Sequence, residues 1–139
     1  MSLLLEPLLP YTAYLALVIR VWMGANMIIH ARPKLGAGTK GTVGWIKSMG
    51  LPAGAAYLAI ALELVGGIFL LVGLIVPIVA LFFAIEMIAN SVMKKQKMKA
   101  GYIVQQKPSY EIDILYLMLS IVLIVLGAGV ASIDGLIGL

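Results

Sequence analysis

Apolar runs alternate with short polar stretches along this chain, and each run carries a few polar residues at helical spacing. The runs predict helices at about residues 11–29, 53–72, 77–93 and 110–131. Each is near the roughly 20 residues that cross a hydrocarbon core about 30 Å thick. The second and third come from one run of 42 residues, 52–93, too long for a single crossing. Its only break is GLIVP at residues 73–77, which predicts a hairpin with Pro77 in the first turn of the third helix.

The polar positions fall into stripes. Ala16, Arg20 and Gly24 share one face of the first helix, and Ala55, Ala59, Glu63 and Gly67 share one face of the second. Small residues in such stripes let helices approach closely within a membrane. Phe82, Glu86 and Asn90 repeat every four residues on the third helix, and Asp113, Tyr116 and Ser120 form a polar edge on the fourth. Between the first two helices, Val43 and Ile46 recur beside Trp45, which fits either a short helix at the membrane surface or an ordinary connecting turn. Met1–Pro10 has no positive leader and contains Glu6, Pro7 and Pro10; it is expected to lie at the membrane surface rather than to be cleaved.

Composition turns these helices into membrane spans. The chain is 63% hydrophobic and 12% charged, with a mean hydropathy of +1.10. A soluble domain carries about 25% charged residues. The expected class is therefore an all-α integral membrane four-helix bundle forming a single transmembrane domain over residues 1–139. The net charge is +4, and nine of the ten basic residues sit in two loops. Arg32, Lys34, Lys40 and Lys47 occupy one; Lys94, Lys95, Lys97, Lys99 and Lys107 occupy the other. Loops of this kind face anionic lipid rather than nucleic acid. With four spans both basic loops lie on one side, so they are expected in the cytoplasm of a multi-pass cell-membrane protein, with both termini outside.

Candidate chemistry is sparse. There is no cysteine and one histidine, His30, so one copy of the chain ligates no haem, iron–sulfur or metal centre by itself. Three ionisable residues stand inside the apolar runs: Arg20 ten residues from Pro10, Glu63 eleven from Pro52, and Glu86 nine from Pro77. At about 1.5 Å per residue all three fall near the midplane. A charge at that depth costs about 2.5 to 3.5 kcal/mol unless partnered, and is by default a functional-site hypothesis. The expectation is a catalytic cluster in which Arg20 bridges Glu63 and Glu86, with one glutamate holding a proton because one cation cannot neutralise two anions. A packing device that fixes helix register is the competing reading. Asn90 and Asn26 lie toward the cytoplasm and extend the polar positions. A second group, His30, Lys34, Glu111 and Asp113, with Tyr110 nearby, is expected at the cytoplasmic edge, either as a cofactor-binding set or as interface charges.

The order of these features is similar to that of a known family. Arg20, Gly24, His30 and Lys34 are followed by a Trp-containing loop ending MGLP at Met49–Pro52, then by ELVGGIFLLVGL from Glu63 to Leu74, then by the Tyr110–Glu111 pair. The chain resembles the DoxX/DoxD-like family of small four-helix membrane proteins over about residues 16–134. By that resemblance Arg20, His30, Lys34, Glu63 and Glu111 are the family's polar positions; Glu86 and the lysine-rich second loop have no match. The family takes its name from the membrane subunit of a thiosulfate:quinone oxidoreductase of sulfur-oxidising archaea. The resemblance implies a quinone as cofactor and other membrane subunits as partners. Three functions stay open: a subunit of a quinone-linked oxidoreductase, a non-catalytic accessory subunit of a larger respiratory or oxidase complex, and a small proton-linked carrier.

Overall fold

The computed structural model describes residues 10–103, 105 and 108–139. Residues 1–9, and with them nearly all of the expected surface segment, lie outside the described residues, as does Lys107. Helix α1 is Thr12–Ala31, followed by a 3-10 turn at Arg32–Lys34; α2 is Gly38–Ser48. Helix α3 is Ala53–Val72, α4 is Val76–Lys97, α5 is Glu111–Leu126, and α6 is the short Ile133–Ile137. Among the described residues there is no strand. Among the described residues three stretches, Tyr14–Lys34, Ala53–Val72 and Val76–Lys97, are long and apolar enough to cross a membrane. Helix α5 has 16 residues and stops at Leu126, short of the expected residue 131, because the backbone leaves the helix at Gly127 with φ 71°.

The helices pack as two pairs. Helix α1 lies along the second half of α3, α4 lies along α5, and α1 also touches α5. The α1–α3 approach is set by glycine: a Cβ on Gly24 would lie 2.6 Å from the Gly67 carbonyl oxygen. Any side chain there would push the helices apart. Met23, Met27, Leu70, Phe83 and Leu123 fill the centre. The outer faces are also apolar, with Val18, Leu58, Ile85 and Val125 exposed. Apolar residues on both the inside and the outside are what a bundle in lipid requires.

One end of the bundle is closed by the tail. The hairpin between α3 and α4 turns through Gly73, at φ 72°, where a Cβ would collide with the Cβ of Ser132 at 2.5 Å. Ile75 follows with φ 44°, an unfavourable region for a β-branched residue. Asp134 holds it there: its carboxylate accepts from the backbone N–H groups of Ile75 at 2.6 Å and Val76 at 2.9 Å. It thereby caps α4 from a distant part of the chain and places a negative charge at that helix's N-terminus.

Candidate functional site

Arg20 does not bridge the two glutamates. Its side chain is fully buried, and its five donor contacts go to backbone carbonyls. Nε donates to Ala128 at 2.8 Å; Nη1 to Leu70 at 3.0 Å and Leu71 at 2.7 Å; Nη2 to Val130 at 3.1 Å and Ala131 at 2.6 Å. Leu70 and Leu71 belong to the last turn of α3, where the helix runs out of N–H donors; Leu70 also accepts from Gly73 at 3.3 Å. Ala128, Val130 and Ala131 lie in the non-helical stretch after α5. The guanidinium fork thus satisfies the frayed ends of two elements at once, at the tail end of the bundle. The sequence-based depth was misleading because α1 begins well beyond the end of α3, so its ninth residue meets the last turn of its neighbour.

Glu63 has a different partner. Lys34 Nζ donates to both of its carboxylate oxygens, with 2.6 Å to Oε2. Glu63 is buried, and Lys34 reaches it from the 3-10 turn that follows α1. Around Glu63 the helix widens into a π-turn, Leu62–Gly66. Such turns interrupt α-helices frequently at functional sites. A second ion pair joins Lys94 of α4 to buried Asp113 of α5, at 2.7 and 2.9 Å.

Both pairs open onto one cavity of about 500 Å³. Glu86 and Asn90 of α4 face it, as do His30 of α1 and Tyr116 of α5, with Trp45 of α2 on its wall. The two polar groups expected separately from the sequence, one at mid-depth and one at the edge, therefore meet, with Arg20 and Glu111 left out. The lining holds three carboxyl groups, Glu63, Glu86 and Asp113, against two lysines. Each lysine is matched by its own carboxylate, so Glu86 is the surplus acid. Its Oε2 is buried with no hydrogen-bond partner. The ring of His30 meets Tyr116 edge-on with centroids 6.1 Å apart, and Trp22 stacks on the other side of Tyr116 at 5.9 Å.

Other expected positions fall elsewhere. Asn26 donates to the Trp22 carbonyl on its own helix at 2.8 Å and does not line the cavity. Glu111 begins α5, its backbone N–H bonded to the Tyr102 carbonyl, and is not part of the cavity wall. Tyr110 meets Tyr102 edge-on. Phe82 faces outward, away from Glu86 and Asn90. Among the described residues no group of three His, Asp or Glu side chains is placed to hold a metal ion. Three site residues escaped the sequence reading: Lys94, Tyr116 and Trp45. For Lys94 a signal existed, since it continues the Glu86, Asn90 spacing by four more residues.

The DoxX family model matches residues 15–94, which carry most of α1, all of α2 and α3, most of α4 and the cavity's polar residues apart from those contributed from Ser109 onward, Asp113 and Tyr116 among them. The chain belongs to the DoxX family. It is 33% identical over 118 residues to the protein named "Putative oxidoreductase CatD" of Bacillus subtilis (strain 168), across 85% of this chain and 83% of that one. No solved structure matches it. This DoxX-family chain is thus a helical membrane protein, and several of its polar residues converge on one cavity.

Proposed function

We propose that this DoxX-family protein is the membrane subunit of a quinone-linked oxidoreductase, and that the cavity between α1, α3, α4 and α5 receives the quinone headgroup. The observation that carries the reading is Glu86, a half-buried carboxyl with one buried, unpartnered oxygen, on the wall of a cavity of about 500 Å³. That volume lies within the range of small-molecule sites, about 300–1,000 Å³. A quinone ring fits the character of the wall: Met27, Met87 and Trp45 offer apolar and aromatic surface, and a few polar groups converge on it. When bound, a quinone supplies an acceptor for two electrons and two protons. Glu86, held as the acid because no lysine is left for it, donates a hydrogen bond and then a proton to a quinone oxygen. Tyr116 and His30 limit the ring's tilt. The Lys34–Glu63 pair holds the widened turn of α3 open beside the site.

The chain has no cysteine and one histidine, so electron entry falls to a partner subunit that oxidises the donor, thiosulfate in the type the family is named for. In this reading α5 is the fourth span. Its 16 residues reach about 24 Å, and the non-helical stretch that follows is tolerated at membrane depth because Arg20 bonds its carbonyls. Both basic loops then face the cytoplasm and both termini lie outside.

The deciding experiment compares wild type with Glu86→Gln, purified gently from native membranes. Co-purified quinone and a partner subunit are expected with wild type, and donor-driven quinone reduction is expected to fall by about 100-fold in the variant. Full reduction by Glu86→Gln would overturn the assignment. Because the chain lacks cysteine, single cysteines placed near Thr39, Gly73 and Leu139 report topology: labelling of the first from the cytoplasm and of the other two from outside is expected.

A further inference from the structure

Glu86, Asn90 and Lys94 stand one above another on α4, four residues apart, and all three line the cavity. From Glu86 to Lys94 the helix rises about 12 Å. At the far end Lys94 is about a quarter exposed and paired with buried Asp113. Two buried polar atoms of α4 lack any protein partner, Glu86 Oε2 and, five residues on, Ser91 Oγ. Of the two only Glu86 lines the cavity, and a polar atom of this kind in a roomy cavity is ordinarily satisfied by water. The other groups that face Glu86 across the cavity are His30 from α1, Lys34 from the 3-10 turn, Glu63 from α3, and Asp113 and Tyr116 from α5. Of these, Lys34 and Glu63 satisfy each other, both carboxylate oxygens being taken. The ladder on α4 is a line of polar side chains that runs from Glu86 to the basic loop along the cavity wall.

We propose that α4 carries a proton path in which water held by Asn90 joins Glu86 to the Lys94–Asp113 pair at the basic-loop end. It rests on the reading of Glu86 as the cavity's proton donor. For each proton that Glu86 gives to a quinone oxygen, one proton enters from bulk water at the Lys94–Asp113 pair and passes along water at Asn90 to reload Glu86. The electrons come separately, from the donor oxidised by the partner subunit. The protons are thus drawn from the basic-loop side.

The test uses the full chain in lipid nanodiscs with no quinone added, and follows deuterium exchange at the Glu86 carboxyl by infrared difference spectroscopy. Glu86→Gln identifies the band. Asn90→Leu is expected to slow the exchange about tenfold or more, and Asn90→Asp to keep the wild-type rate. Should Asn90→Leu not fold, the paired change Lys94→Gln with Asp113→Asn, which removes both charges together, is expected to slow exchange likewise. Unchanged exchange in Asn90→Leu, or in the paired variant where Asn90→Leu does not fold, would overturn the path, as would slowing only by Lys34→Met with Glu63→Gln. Quinone is absent throughout, so a failure here is separate from a failure of the quinone reading, which the reduction assay decides.

Discussion

Two charged centres sit at opposite ends of the same bundle and bury their charge in opposite ways. At the tail end Arg20 is wholly enclosed, and its donors are matched by five carbonyl oxygens at 2.6 to 3.1 Å. At the basic-loop end two lysines meet two carboxylates, a third carboxyl is left over, and all of them border open volume. The first arrangement leaves no donor unused. The second keeps a spare acid and a place for a ligand next to it. An ionisable residue deep in a membrane protein is therefore read by what remains unsatisfied around it, not by its depth.

The sharpest way to break the comparison is to remove Arg20. In Arg20→Met five carbonyls lose the guanidinium; two of those bonds are buried and three part-buried, and the Leu70 oxygen keeps the Gly73 N–H. Each acceptor left buried and unsatisfied costs about 1–3 kcal/mol, and a few such losses are a large share of an ordinary domain's stability of about 5–15 kcal/mol. We expect Arg20→Met not to accumulate as a monodisperse protein, judged by size-exclusion chromatography. Arg20→Lys should rescue only in part, because an ammonium offers three donors and no planar fork to span two helix ends.

Next in size is the Lys34–Glu63 pair. Lys34→Met alone leaves the Glu63 carboxylate buried without its cation, and breaking such a pair costs about 3 kcal/mol even with Lys34 partly exposed. Glu63→Leu added to Lys34→Met should return most of that loss, since a buried pair is often replaceable by apolar residues. Thermal unfolding of both variants in one detergent checks the ordering. A double variant as unstable as the single one would mean that the pair's geometry, not its charge balance, supports the widened turn.

Smaller again is the difference between two helical glycines. A Cβ on Gly67 would stand 2.9 Å from the Gly24 carbonyl oxygen, whereas one on Gly41 of α2 meets nothing within 4 Å. Gly67→Ala should destabilise by about 1–3 kcal/mol through overpacking against backbone. Gly41→Ala should stabilise by about 0.5–1 kcal/mol through helix propensity. The same assay measures both. Equal effects would mean that α1 can shift away from α3, and that the close approach seen between them is not required.

Much of this was legible from the pattern of residues. The apolar runs locate α1, α3, α4 and α5 to within a few residues, since a 3.6-residue period over such lengths has few alternatives. The inward edge of α5, Asp113, Tyr116 and Ser120, is buried as its spacing implied. Partner choice was not legible. Depth counted from each helix's own start put Arg20 level with Glu63 and Glu86, but relative offset along the bundle is a tertiary property, and α1 is shifted by about two turns. The pairing of Lys34 with Glu63 is likewise illegible, because a lysine's four-carbon stem hides how far its ammonium can reach. Asp134, which caps α4 from the tail, had no local sequence signal, because the N–H groups it serves are 58 and 59 residues away.

The smallest effect on stability and the largest on function should fall on the same residue. Glu86 forms no ion pair among the described residues, and one of its oxygens is buried without a partner. Replacing an unsatisfied polar group with an apolar one of similar shape is nearly neutral or stabilising. Glu86→Leu should therefore unfold at or slightly above the wild-type temperature, whereas Arg20→Met should not fold at all. If Glu86 were a packing device like Arg20, its loss would lower the unfolding temperature by several degrees and leave quinone reduction and quinone content together near wild type. A protein that keeps a buried acid without a structural need for it is maintaining that acid for chemistry. Stability and quinone reduction moving in opposite directions in this one variant would separate the two ends of the bundle into scaffold and site.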